Sequence, residues 1–193
     1  MKKYWKIIFL ILVIGIMATD MVIDSRRSYA AQETQGQHPL DLPSGTAVGE
    51  LAPDFSGQTL DGKTFRLSDH TGKIVVLNVF ATWCGPCRLE MPHLVEGYNQ
   101  VSNQGVVFIG INLQENPAAV SGFRDEFGVN FPLLLDPNGE LTNNLYRPIG
   151  LPTTWFIDPQ GVVQYVYSGA MTGEVLVRII EDIQAGRQPN PFG

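Results

Sequence analysis

FATWCGPCRLEMP, from Phe80 to Pro92, holds both cysteines of the 193-residue chain, Cys84 and Cys87, with two residues between them. A C-x-x-C pair serves three chemistries: half of a metal site, a structural staple, or a dithiol that cycles between reduced and disulfide forms. A closed zinc site needs four ligands, and His38, His70 and His93 form no second cluster to complete one. A disulfide closing so small a loop removes little chain entropy, which makes it a poor staple. The redox reading gains from what flanks the pair. Lys73 to Phe80, KIVVLNVF, is a β-branched apolar run with little alternation, as in a strand covered on both faces, and Cys84 to about Asn103 reads as a helix. Cys84 therefore stands at a helix start, where free backbone N–H groups and the positive end of the helix dipole stabilise a thiolate. It is the candidate nucleophile. Cys87, one turn further on the same face, is placed to resolve a mixed disulfide formed at Cys84. Pro86 fits a first helical turn, where its missing N–H had no intrahelical partner, and it restrains the loop between the sulfurs.

Outward from this stretch, Val106 to Asn112 reads as a second buried strand, so the centre of the chain is a βαβ unit with a parallel pair. Phe55 to Leu67 reads as a hairpin turning at Asp61-Gly62. Pro117 to Phe127 reads as a helix, Phe131 to Leu135 as a short strand, and Asn138 to Tyr146 as a short helix. Thr153 to Ile157 and Val162 to Tyr167 flank a turn-rich link and form an antiparallel pair, and Thr172 to Ala185 closes the domain as a helix. Gln188 to Gly193 is expected to be a loose tail. The expected fold class is α/β.

Five of the 13 basic residues and two of the 19 acidic ones lie in the first thirty positions, which leaves 8 against 17 beyond them. That acidic balance, with no basic run after Arg27, argues against a nucleic-acid partner. Ile7 to Ile23 is apolar apart from Thr19 and Asp20 and reads as a membrane segment, its 17 residues reaching about 25 Å as a helix. Lys2, Lys3 and Lys6 precede it, whereas Arg26 and Arg27 are offset by Asp20 and Asp24, so the N-terminus is expected in the cytoplasm and the remainder outside it. Ser28-Tyr29-Ala30 resembles a cleavage site but is separated from the apolar run by a polar stretch, so an uncleaved anchor is favoured over a signal peptide. Residues 1–30 are thus a cytoplasmic tip and signal-anchor, 31–48 a flexible tether, 49–187 the folded domain and 188–193 the tail.

Trp83-Cys84-Gly85-Pro86-Cys87 followed by Pro92 resembles the thioredoxin superfamily. The preceding hairpin, the segment around Gln114 to Tyr146, and Leu151-Pro152-Thr153-Thr154 before an apolar strand are similar to its membrane-tethered branch, which includes ResA, TlpA and CcmG. The resemblance covers about Gly49 to Ala185. It implies a thioredoxin-like fold with an N-terminal hairpin and a central insertion, and a redox-active Cys84–Cys87 disulfide. It also implies a substrate surface of Trp83, Gly85, Pro86, Leu151 and Pro152, with Pro152 in a cis-proline loop facing the dithiol. Cytosolic thioredoxins carry a buried Asp at the position of Asn78, and Asn cannot serve as a base. Glu90, three residues after Cys87 on the same helical side, matches an acidic residue of the ResA branch and is assigned the proton-transfer role. ResA itself is similar but carries an acidic residue where this chain has Gly85.

The resulting expectation is a membrane-anchored extracytoplasmic thiol-disulfide oxidoreductase that reduces protein disulfides and needs no bound cofactor or metal. The resemblance implies a transmembrane dithiol donor, and apocytochrome c, with its C-x-x-C-H haem site, as leading substrate among extracytoplasmic disulfide proteins. Three alternatives stand beside it. A disulfide-forming oxidant fits an oxidising compartment, but Gly-Pro between the cysteines resembles reducing thioredoxins. A peroxidase shares the Phe55 hairpin, yet a T-x-x-C signature is absent. An interaction module whose disulfide stays closed would reduce nothing. Blander readings apply elsewhere: His93 as surface packing, Met91, Trp155 and Phe156 as core and strand packing, and Asp125, Glu126, Glu181 and Asp182 as solvated helix faces.

Overall fold

In the computed structural model of the chain, the structure describes residues 42–192. The expected membrane segment and most of the tether lie outside the described residues, and no helix among the described residues is long and apolar enough to cross a membrane.

The run at Ile74–Phe80 forms β3, buried at every position. It pairs in parallel with β4 (Val106–Leu113) and antiparallel with β6 (Thr153–Ile157). With β5 (Leu133–Asp136) and β7 (Val163–Ser168) it makes a five-stranded sheet ordered β5-β4-β3-β6-β7. Helices α1 (Gly85–Val101) and α2 (Pro117–Phe127) are the two crossovers of this parallel half. Successive right-handed crossovers stepping in one direction leave both helices on one face, and α3 (Gly173–Gln184) joins them there. Alternate residues of β3 divide between the faces: Ile74, Val76 and Phe80 pack with the helices, while Val75, Leu77 and Val79 pack on the other side. That second face is covered by the hairpin of β1 (Ser56–Gln58) and β2 (Thr64–Arg66), together with a wide π-helical segment at Glu140–Tyr146. This double coverage is why β3 has no polar face in its sequence.

The hairpin and the insertion are tied to the sheet by aromatic contacts. Tyr146 stands edge-on to both Phe55 and Trp155, and its hydroxyl donates to the Pro53 carbonyl at 3.0 Å. Burial raises the Tyr146 phenol well above its ordinary value. The π-helical segment is held at its start by Asp136, whose carboxylate accepts from the Thr142 N–H at 2.8 Å and hydroxyl at 2.7 Å.

Two expected boundaries are corrected. Residues 43–48, expected in the tether, are bound to the domain: Leu51 N donates to the Pro43 carbonyl at 2.9 Å and Trp155 Nε1 to that of Thr46 at 3.0 Å. The end of the chain is not loose up to Phe192. Asp182, expected on a solvated face, is 8% exposed and accepts from Arg187 Nη2 at 2.6 Å and from the Asn190 N–H at 3.0 Å. The Asn190 N–H, then the Arg187 guanidinium, hold its carboxyl below the ordinary range. Buried Pro189 and Pro191 follow from that anchorage. Met91, Trp155 and Phe156 are core residues as expected.

Helices α1 and α3 touch at Gly97, where a Cβ would stand 2.4 Å from Leu176 Cδ2. Alanine there gains up to about 1 kcal/mol of helix propensity but overpacks a fully buried leucine, which costs about 1–3 kcal/mol. Gly97→Ala is therefore expected to lower stability by about 1 kcal/mol net, read as a lower denaturant midpoint at unchanged slope.

Candidate active site

β3 ends at Phe80, and a tight turn closed by the Cys84 N–H on the Ala81 carbonyl at 3.2 Å delivers Cys84 to the start of α1. Cys84 is the N-cap residue, with extended backbone (φ −78°, ψ 112°), and its Sγ accepts from the Cys87 N–H at 3.2 Å. A sulfur at an N-cap replaces the usual side-chain oxygen, so the capping interaction that starts the helix also stabilises negative charge on the thiol. The two cysteines are joined as a disulfide with Cα atoms 5.2 Å apart. Cys84 is 5% exposed and Cys87 fully buried, so an approaching thiol or disulfide meets Cys84 first. Gly85 and Pro86 are exposed beside it, and a Cβ on Gly85 would meet nothing within 4 Å.

Large apolar side chains stand exposed on either side of the pair in the chain. Trp83 is 69% exposed and Leu89, one turn along α1, 74%. The Leu151–Pro152 peptide is cis, as the resemblance implied. The β3–β6 register sets Thr153 opposite Val79, which brings Pro152 to the end of the sheet from which the cysteine loop leaves. Pro152 is buried and Leu151 partly so, while Ile149 just before them is fully exposed. His93 is exposed on α1, consistent with surface packing.

Behind the disulfide lies Glu90, fully buried rather than solvated. Its Oε1 accepts from Asn78 Nδ2 at 2.8 Å and its Oε2 from the Met171 N–H at 3.2 Å. Asn78 Nδ2 also donates to the Thr154 hydroxyl oxygen at 2.9 Å. Burial pushes the Glu90 carboxyl up from 4.5 to about 7, with the hydrogen bonds from Asn78 and Met171 opposing the rise. A buried acid that changes charge near neutrality, one helical turn from the buried thiol, can carry a proton to or from it. Asn78 is thus not the base but the group that orients it. Its presence was signalled by a single polar residue in the otherwise apolar run of β3. Sequence reasoning missed its pairing with Glu90, along with a second glutamate, Glu115, whose carboxylate reaches Thr82 in the turn before Cys84. No group of His, Cys, Asp and Glu among the described residues is arranged to hold a metal ion.

The AhpC/TSA family model matches residues 48–166. The thiol-disulfide oxidoreductase ResA of Geobacillus kaustophilus is 41% identical over 138 residues, covering 72% of this chain and 79% of that protein. A thiol:disulfide interchange protein of the thioredoxin family from Chlorobium tepidum is 32% identical and superposes with a TM-score of 0.63, covering 71% of this chain and 97% of that one. StoA from Bacillus subtilis superposes with a TM-score of 0.58 at 27% identity, over 67% of this chain and 96% of its own. The match spans the hairpin, the cysteine loop and the sheet that carries them, so the chain belongs to the AhpC/TSA family and is a thiol-disulfide oxidoreductase of the thioredoxin superfamily.

Proposed function

We propose that this chain, held at the membrane by its N-terminal segment, reduces disulfides of extracytoplasmic proteins, with apocytochrome c as the leading target. The observation that carries the reading is the buried pair of Cys87 and Glu90, with Glu90 poised at about 7. In the reduced protein the Cys84 thiolate attacks one sulfur of the target disulfide, forming a mixed disulfide and releasing the first target sulfur as a thiolate. Glu90 takes the proton of the Cys87 thiol. The Cys87 thiolate then attacks the Cys84 sulfur, breaking the mixed bond and releasing the second target thiolate. Two electrons pass from the protein dithiol to the target, and a transmembrane dithiol donor restores them. Exposed Trp83, Leu89 and Ile149 offer apolar contact to an extended target segment, and the cis-Pro152 loop offers backbone alongside it.

Stopping the reaction halfway tests the target. With its anchor in place, Cys87→Ser is expected to retain one or a few C-x-x-C-H proteins in complexes dissolved by dithiothreitol, and to stay with membranes through a carbonate wash. Many unrelated secreted proteins in the trap would replace cytochrome maturation by general disulfide reduction. A mature N-terminus at Ala31 would remove the anchor from the account.

A further inference from the structure

We propose that Glu115 is a positioning residue for thiol–disulfide exchange, acting on Cys84 through the backbone and hydroxyl of Thr82. Thr82 and Trp83 are the two central residues of the turn from Ala81 to Cys84. Every polar group of Thr82 is engaged by a charged side chain from another element. Its N–H donates to Glu115 Oε2 at 2.7 Å, its hydroxyl donates to Glu115 Oε1, and its carbonyl accepts from Arg88 Nη1 at 3.2 Å. Glu115 comes from the loop between β4 and α2, and Arg88 from the first turn of α1. The turn is thereby gripped from both sides.

The grip is itself braced. Asn112, fully buried at the end of β4, donates from Nδ2 to Glu115 Oε2 at 2.7 Å. The Arg88 guanidinium lies 5.0 Å from the Phe127 ring centre and 5.7 Å from that of Phe123, with Glu126 as its ion partner. A cation held against two rings and a carboxylate has few other places to go.

A second observation points the same way. Among the described residues, the buried side-chain polar atoms without a partner are Oδ1 of Asn78 and Oδ1 of Asn112. An unsatisfied buried oxygen costs about 1–3 kcal/mol, which offsets much of what each amide contributes to stability through its nitrogen. Each spends its nitrogen on a glutamate of the site, Asn78 on Glu90 and Asn112 on Glu115. What sets the two amides apart is the carboxylate that each nitrogen orients, rather than a fully satisfied place in the core.

The consequence for chemistry runs through the turn. Cys84 accepts the Cys87 N–H only while the turn sets its backbone as an N-cap, and that donor stabilises the thiolate that attacks. Loosening Thr82 disperses Cys84 over other conformations and returns its thiol toward that of free cysteine. Glutamine at position 115 can keep the arrangement, because one oxygen in the place of Oε2 still accepts from Thr82 N and Asn112 Nδ2 while its amide donates to the Thr82 hydroxyl oxygen.

The test uses full-length reduced protein and follows alkylation of Cys84 by iodoacetamide against pH, with turnover on insulin as a second readout. Glu115→Ala is expected to move the Cys84 titration upward, to slow alkylation at pH 7 about threefold or more, and to lower kcat without a matching rise in KM. Thr82→Val, which removes only the hydroxyl arm, shifts the same readings by less, and Glu115→Gln recovers most of the loss. Near-UV circular dichroism of the oxidised proteins confirms folding. Should Glu115→Ala fail to fold, Thr82→Val decides alone: slowed alkylation supports the proposal and parental rates overturn it. A folded Glu115→Ala with parental alkylation and kcat also overturns it, as does a folded Glu115→Gln as impaired as the alanine variant, which would assign the effect to charge.

Discussion

Serine in place of Cys84 is expected to abolish insulin reduction, bringing the rate to that of dithiothreitol alone, because no other thiol reaches the mouth of the site. Cys87 is fully buried beneath Cys84 and cannot meet a target disulfide. Cys87→Ser is expected to lose turnover as completely but for a different reason: its Cys84 still attacks once, then holds the target. The two variants separate in a single measurement, the yield of mixed disulfide after brief mixing with an oxidised peptide. Cys84→Ser should give none and Cys87→Ser close to one equivalent. Equal yields would mean that the sulfurs are equivalent, and the opposite pattern that the order of attack is reversed. Neither substitution removes a packing volume, so both proteins should remain folded.

Glu90→Gln is expected to change stability and chemistry in opposite directions. In the oxidised protein neither cysteine titrates, so the pH dependence from this site belongs to Glu90. Its folded value of about 7 lies above the ordinary 4.5, so the folded state holds the proton more tightly than the unfolded chain. The stability this contributes is complete below about pH 4.5 and is lost as pH rises through about 7, by roughly 3 kcal/mol in all. The Gln variant lacks that loss. Relative to the parent it should therefore gain roughly 3 kcal/mol between pH 4.5 and pH 8, measured by denaturant unfolding of the oxidised proteins. Release of mixed disulfides should slow about a hundredfold at neutral pH, because the Cys87 thiol has lost its proton acceptor. Unchanged release and an unchanged Cys87 titration would take the proton-transfer role from Glu90. A flat stability difference across that range would show that the carboxyl is not shifted.

What the sequence made legible was local. The β-branched run of β3, the C-x-x-C at a helix start and the Asp61-Gly62 turn each depend on residues adjacent in the chain, and each is found where it was expected, whereas the cis bond at Pro152 was implied only by the family resemblance. What it hid were pairings set by sheet register and helix packing. Asn78 and Glu90 are 12 residues apart and meet only because α1 folds back over β3. Thr82 and Glu115, 33 residues apart, meet only when β4 lies parallel to β3. Asp182 reads as a solvated helix charge because nothing in α3 announces that the chain returns past it, eight residues later, with the Asn190 N–H. The same blindness set the domain boundaries too narrow, since the polar composition of residues 43–48 and 188–192 conceals backbone hydrogen bonds to the domain.

Electrons are expected to flow from the Cys84–Cys87 dithiol to the target disulfide, and the reduction potential of the pair decides whether they do. Equilibrating the protein with thioredoxin and with glutathione couples of known potential, and quantifying alkylated dithiol at each poise, gives the value. The pair is expected to be a reductant near the thioredoxin value of about −270 mV. A potential above roughly −180 mV, toward the strong oxidants near −120 mV, would contradict that expectation and make this site a source of disulfides rather than a sink.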